Sequence, residues 1–133
     1  MKNLYNPTPA QIKYRNRLWA EALKKNRKKA KNAMYRNGGR CCLAVAQNVA
    51  IEHGVDVDKR KCGDVPHEEV ARFFGWGSVT PYLLTPTGAI RTASDINDGY
   101  NGEELSHAKI AECVLNTFVH PSSQNRKKIS ANN

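Results

Sequence analysis

A chain of 133 residues with a net charge of +9 is long enough to bury one hydrophobic core without disulfides or metal. It contains no run of about 18 apolar residues, so no membrane span is expected, and Met1 to Pro7 lack the apolar stretch of a signal peptide. Four cysteines, two of them adjacent, fit a reduced intracellular protein better than a disulfide framework.

The charge is segregated. Residues 1–40 hold twelve Lys/Arg and one Glu, residues 41–119 hold six Lys/Arg and eleven Asp/Glu, and Arg126, Lys127 and Lys128 lie in the tail. This reads as a basic N-terminal arm (1–37), a mildly acidic body (38–120) and a mobile basic tail (121–133). Segregation of this kind predicts an anionic partner: nucleic acid, a nucleotide or an acidic protein face.

Thr8-Pro9-Ala10-Gln11 is a helix start, with a capping threonine, a proline for the first turn and a glutamine that can reach back. Ile12, Leu18, Trp19, Ala22 and Leu23 form one apolar stripe, which should dock on the body through Trp19 and Leu23. Arg15, Arg17, Lys24 and Lys25 fall largely off it. The run through Arg27, Lys28, Lys29 and Lys31 is expected to stay helical, or to form a second short helix, as far as Tyr35. Lys24, Lys25, Arg27, Lys28, Lys29 and Lys31 are the candidate nucleic-acid contacts, acting on phosphates without reading sequence. Trp19 is expected in the core, and Tyr35 is the better candidate for stacking on a base.

Gly38-Gly39-Arg40 opens the most apolar stretch, Cys42 to Ile51, read as a helix buried on most of its circumference. Gly54 suits its C-terminal end, and His53 suits the negative end of its dipole. Free N–H groups at its start, the two glycines and Arg40 form a candidate anion site, with Arg36 and Tyr35 beside it. The plainer reading is that the glycines only turn the chain between helices. A cysteine at a helix start next to Arg40 also raises a nucleophile, Cys41 or Cys42, with His67, His107 or His120 as base. Against it, both cysteines lead into the core, and His67 and His107 are expected at the surface. Zinc spacing is absent around Cys41, Cys42 and Cys62.

A polar loop, 55–63, precedes a short helix, Asp64 to Gly75, with proline and acids at its start and Val70, Phe73 and Phe74 inward. Tyr82–Thr85 and Ala89–Thr92, joined at Pro86-Thr87-Gly88, read as the one β-hairpin. Ser94 to Gly102 is dense in turn formers and fails calcium-loop spacing. Ser106 caps a last helix, with Leu105 and Ile110 as its hydrophobic staple and Ile110, Ala111, Val114, Leu115 and Phe118 as its apolar face. The expected fold is a single, mostly helical α+β domain with one hairpin and a basic helical arm.

The segments Leu18-Trp19-Ala20-Glu21-Ala22-Leu23, Arg40-Cys41-Cys42-Leu43-Ala44-Val45, Glu69-Val70-Ala71-Arg72-Phe73-Phe74-Gly75, Ile96-Asn97-Asp98 and Leu105-Ser106-His107-Ala108-Lys109-Ile110-Ala111 resemble, in this order, a family of small tailed-phage proteins. Those show W-x-x-A-L, C-C-L-G-V, E-V-x-x-W-x-G, L-N-D and L-S-F-x-E-I-A segments. The resemblance covers roughly residues 18–119, with Cys-Cys-Leu its most specific part. It implies a phage origin and a compact mixed fold, and it lends no catalytic residues. The chain departs from it in its more basic arm and in Lys109, where an acid would complete the last capping box. The resulting expectation is a non-enzymatic accessory protein, without cofactor or metal, acting in the host cytoplasm in takeover or counter-defence. It would bind a host nucleotide signal, nucleic acid or an acidic host protein, and a homo-oligomer is compatible. The alternatives are a virion component that uses the arm on DNA, and a cysteine hydrolase.

Overall fold

The computed structural model describes residues 1–26, 28–36, 38–100 and 104–120. Among them are five α-helices and two antiparallel pairs of short strands, a mostly helical α+β fold. The predicted tail, 121–133, and Arg27 lie outside the described residues.

Helix α1 (Pro9–Lys25) starts as its sequence dictates. The Thr8 hydroxyl accepts from Gln11 N at 3.2 Å, and the Gln11 side chain accepts from Thr8 N at 2.9 Å. Trp19 and Leu23 are fully buried, so the helix docks through the predicted residues. It packs on α2 (Cys42–Glu52), α3 (Glu68–Phe74) and α5 (His107–Val114).

Arg15 corrects the predicted stripe, for it too is fully buried. Its Nη1 donates to Phe73 O at 2.8 Å, Asn3 O at 3.2 Å and Leu4 O at 3.1 Å, and its Nη2 donates to Lys2 O at 3.0 Å. The guanidinium lies 4.3 Å from the Phe73 ring centroid. Carbonyl oxygens and an aromatic face thus replace a carboxylate partner. Asn16 beside it donates to Phe74 O at 3.0 Å and accepts from Trp76 Nε1 at 2.9 Å. Together they hold the last carbonyls of α3, which have no partner inside that helix.

The segment after α1 does not remain helical. Asn26 is extended, and the chain runs past the start of α2 to a two-residue pair, β1 (Tyr35–Arg36) with β2 (Gly39–Arg40). Lys28 O accepts from Arg40 N at 3.0 Å, and Ala30 N donates to Arg40 O at 3.1 Å. These bonds to Arg40 take backbone groups that a continuing helix would need, and Ala30 and Met34 bury their side chains from this non-helical chain. Gly38 and Gly39 therefore turn a second hairpin rather than link two helices.

Helix α2 is the core element that its composition predicts, with every residue from Cys42 to Gln47, and then Val49 and Ala50, buried. At its end His53 Nδ1 donates to Val49 O at 2.8 Å, and Gly54 has φ +107°. In α3, Val70, Phe73 and Phe74 are fully buried, and Gly75 ends it at φ +73°. Strands β3 (Tyr82–Leu84) and β4 (Ile90–Thr92) form the predicted hairpin, with Leu83 opposite Arg91.

Two segments depart from expectation beyond this point. Residues 93–98 form α4 (Ala93–Asp98), with Thr92 as its cap and Ile96 and Asn97 buried, where a loop was expected. Helix α5 begins at its predicted cap, Ser106, but ends at Val114 and continues as a π turn, Leu115–Val119. The wider turn shifts the phase of the apolar face. Thr117 becomes buried, donating to Cys113 O at 2.6 Å and accepting from Leu84 N at 3.0 Å, while Leu115 and Phe118 are only partly buried.

Candidate anion-binding surface

The start of α2, where free N–H groups were expected, is closed by the chain itself. Asn97 Oδ1 accepts from Cys42 N at 2.9 Å, and Cys41 Sγ accepts from Ala44 N at 3.4 Å. Asn97 is itself fixed, since its Nδ2 donates to Ala30 O and to Asp98 Oδ1, each at 2.8 Å. The cleft beside this helix end is lined by Asp64 and Asp98 as well as Cys41. The two carboxylates disfavour an anion there, and the N–H groups of Cys42 and Ala44 are already taken.

The predicted residues Tyr35, Arg36, Gly38, Gly39 and Arg40 nevertheless come together, on the outer side of the hairpin. With Lys59 they line one depression of about 340 Å³, in which no lining side chain among the described residues is acidic. Gly38 has φ +77°, as the turn requires. A Cβ on Gly39 would come within 3.1 Å of Lys28 Cγ and 3.3 Å of the Arg36 and Lys28 carbonyl oxygens. The glycines thus let the hairpin close against Lys28; in its register Arg40 shares a face with Tyr35, and Arg36 shares the other with Gly39.

Lys59 is the member that the sequence reading missed, because it lies in the acidic half of the chain. It opens a 3₁₀ turn, Lys59–Lys61, capped by Asp58 Oδ1 accepting from Arg60 N at 2.9 Å. The Arg60 side chain holds the Asp58 carboxyl below its ordinary range and takes up much of that negative charge. Lys59 Nζ lies 5.9 Å from the Tyr35 ring centroid. The Tyr35 hydroxyl is engaged in the interior with Gln47 and Asn48. With a cation over its half-buried ring, Tyr35 is a wall of the depression.

Two adjoining depressions share Arg40. One is lined by Lys25 with Glu21, Glu52 and His53, the other by Lys59 and Arg60 with Glu52 and Asp58. The remaining lysines divide. Lys29 leaves the predicted interface: its Nζ donates to Asn97 O at 2.9 Å, Leu105 O at 3.0 Å and Glu104 Oε2 at 2.8 Å. Lys31 joins the same Glu104 at 2.6 Å. Lys24 lines a cleft near His107, away from the hairpin depression, and Lys28 is exposed beside Gly38 and Gly39.

The cysteines are poor nucleophiles as placed. Burial pushes the Cys41 thiol up to about 11 and Cys42 well above its ordinary value. Cys42 Sγ donates to Ala93 O at 3.4 Å. His67 Nε2 meets Asp58 O at 2.8 Å, so that nitrogen carries the proton. His107 is buried, contrary to the surface position expected, and burial first, then Lys29, lowers its pKa to about 4. Among the described residues no group of three His, Cys, Asp or Glu side chains is placed to hold a metal, and no helix is long and apolar enough to cross a membrane. No family model, curated protein or solved structure matches the chain.

Proposed function

We propose that this protein acts by binding, without catalysis, a phosphate-bearing anion seated on Arg36, Arg40 and Lys59, and that the ligand is a nucleic-acid strand. The observation that carries this is one depression lined by Arg36, Arg40 and Lys59 and by no acidic residue among those described. Lys25 and Arg60 line the depressions that adjoin Arg40, where Glu21, Glu52 and Asp58 offset their charge. The depression is shallow and open, which suits a strand passing over it better than a mononucleotide enclosed in it. The Tyr35 hydroxyl is tied to Gln47 and Asn48 and Lys59 stands beside its ring, so the contact we propose is to phosphate and not to sequence. The resemblance to tailed-phage proteins makes action on a host component, in takeover or counter-defence, the context we favour.

The test is fluorescence anisotropy with a labelled single-stranded oligonucleotide. Three cations meeting single-stranded phosphates give a slope of log affinity against log salt of about −2. Reversing Arg36, Arg40 and Lys59 to Glu together should abolish binding. Lys109→Glu, a charge reversal on α5, should change it less than threefold. Mononucleotide binding of equal strength and little salt dependence would replace the strand by a nucleotide. Loss of binding in Lys109→Glu equal to that in the triple variant would refute the site.

A further inference from the structure

Arg40 stands on a two-residue strand, where a long exposed side chain ordinarily loses rotamer freedom when it binds. Here its guanidinium is already docked. The hydrogen-bond network assigns the Asn48 amide oxygen to the Arg40 side, where it accepts from Nε at 3.0 Å and from Nη1 at 3.2 Å. The opposite amide orientation would set NH₂ against guanidinium N–H groups. The dock occupies one edge of the guanidinium and leaves its remaining N–H groups for a ligand.

Asn48 is held in turn. Its Nδ2 donates to the Tyr35 hydroxyl at 3.0 Å, and that oxygen also accepts from Gln47 Nε2 at 3.3 Å. Gln47 is fully buried, and its Oε1 accepts from His67 N at 3.1 Å. His67 then donates to Asp58 O, the residue before Lys59. Two successive residues of α2 therefore reach both cations, Arg40 through Asn48 and the Lys59 turn through Gln47 and His67.

We propose that Asn48 and Gln47 are positioning residues, which hold Arg40 and Lys59 at a fixed separation before the anion arrives. The role rests on the binding reading above. Pre-organisation of this kind raises affinity by removing ordering cost and adds no contact to the ligand.

A double-mutant cycle tests it, with the same labelled oligonucleotide. Asn48→Ala should weaken binding about tenfold in the wild-type background and leave it unchanged in the Arg40→Ala background. Equal weakening in both backgrounds would mean a general structural role and would overturn the proposal. A second readout needs no ligand. The Arg40 Nε–H should exchange slowly with solvent in the wild type and in Asn48→Asp, which keeps an acceptor oxygen, and rapidly in Asn48→Ala. Fast exchange in the wild type overturns the docking itself. A wild type that binds no oligonucleotide, yet shows slow Arg40 exchange, overturns the binding reading and the positioning role together while leaving the dock in place.

Discussion

Replacing Asn97 by Ala should be among the most damaging single changes in the protein. Asn97 is 1% exposed and makes three side-chain hydrogen bonds, to Cys42 N, Ala30 O and Asp98 Oδ1. Its truncation leaves two buried backbone groups without partners, each costing about 1–3 kcal/mol, for a total of about 4 kcal/mol. Against a typical stability of about 5–15 kcal/mol, that is a large fraction. Urea unfolding followed by the fluorescence of the buried Trp19 and Trp76 reads it directly. With a slope of about 2 kcal/mol per molar urea, the midpoint should fall by about 2 M. Asn97→Asp should also be severe at neutral pH. It keeps an acceptor for Cys42 N but turns a carboxylate towards Ala30 O and Asp98. A midpoint shift below about 0.5 M for Asn97→Ala, with stronger anion binding at the start of α2, would refute the claim that Asn97 seals that helix end.

Gly75→Ala places a Cβ 2.5 Å from Ile12 Cγ1 at φ +73°, so strain and overpacking together should cost about 3 kcal/mol, whereas Gly88→Ala, at φ +86° with open space around it, should cost about 1 kcal/mol; thermal melts compare the two. Acid should destabilise the fold in two windows. His107 titrates at about 4 instead of 6.5, so the unfolded chain binds the extra proton first and stability falls as pH drops from 6.5 to 4, by about 2 kcal/mol once partial solvent access is allowed for. Lys29 and Lys31 bring Glu104 from 4.5 to about 2, so its contribution is lost between those values, and Glu104→Gln should flatten that part of the curve alone. Iodoacetamide at pH 7.5 should label half-buried Cys62 before the other thiols, and rapid labelling of Cys41 would contradict its burial and raised pKa.

Much of the fold is legible from local chemistry. Thr8, Pro9 and Gln11 mark the start of α1, Ser106 marks the start of α5, and the Pro86–Gly88 turn marks the β3–β4 hairpin, because caps and turns are decided by neighbours in sequence. What is not legible depends on distant partners. Nothing near Arg15 announces that four backbone carbonyls await it, three of them from residues 2–4 and one from α3. The 28–36 stretch carries good helix formers, yet its backbone pairs with Arg40 across the second hairpin. A local signal exists there: Asn37-Gly38 is a strong hairpin dipeptide, set among basic residues.

The candidate site was half legible. Tyr35, Arg36, Gly38, Gly39 and Arg40 are contiguous in sequence and stay together in space, although their anion site lies outside the hairpin and not at the helix start. Lys59 joins through the loop after α2, and counting charge by segment assigns it to the acidic body. Lys29 looks like its neighbours in sequence, and only the carbonyls of Asn97 and Leu105 show that it is tied to the body.

The most direct test is amide and side-chain NMR of the protein titrated with a single-stranded oligonucleotide at low salt. The account predicts shifts at Tyr35, Arg36, Gly38 to Arg40, Asn48 and Lys59, reversed by added salt, with little change at Lys29, Lys31 and Glu104. Shifts centred on Lys29, Lys31 and the start of α2, with the hairpin residues unmoved, would contradict it.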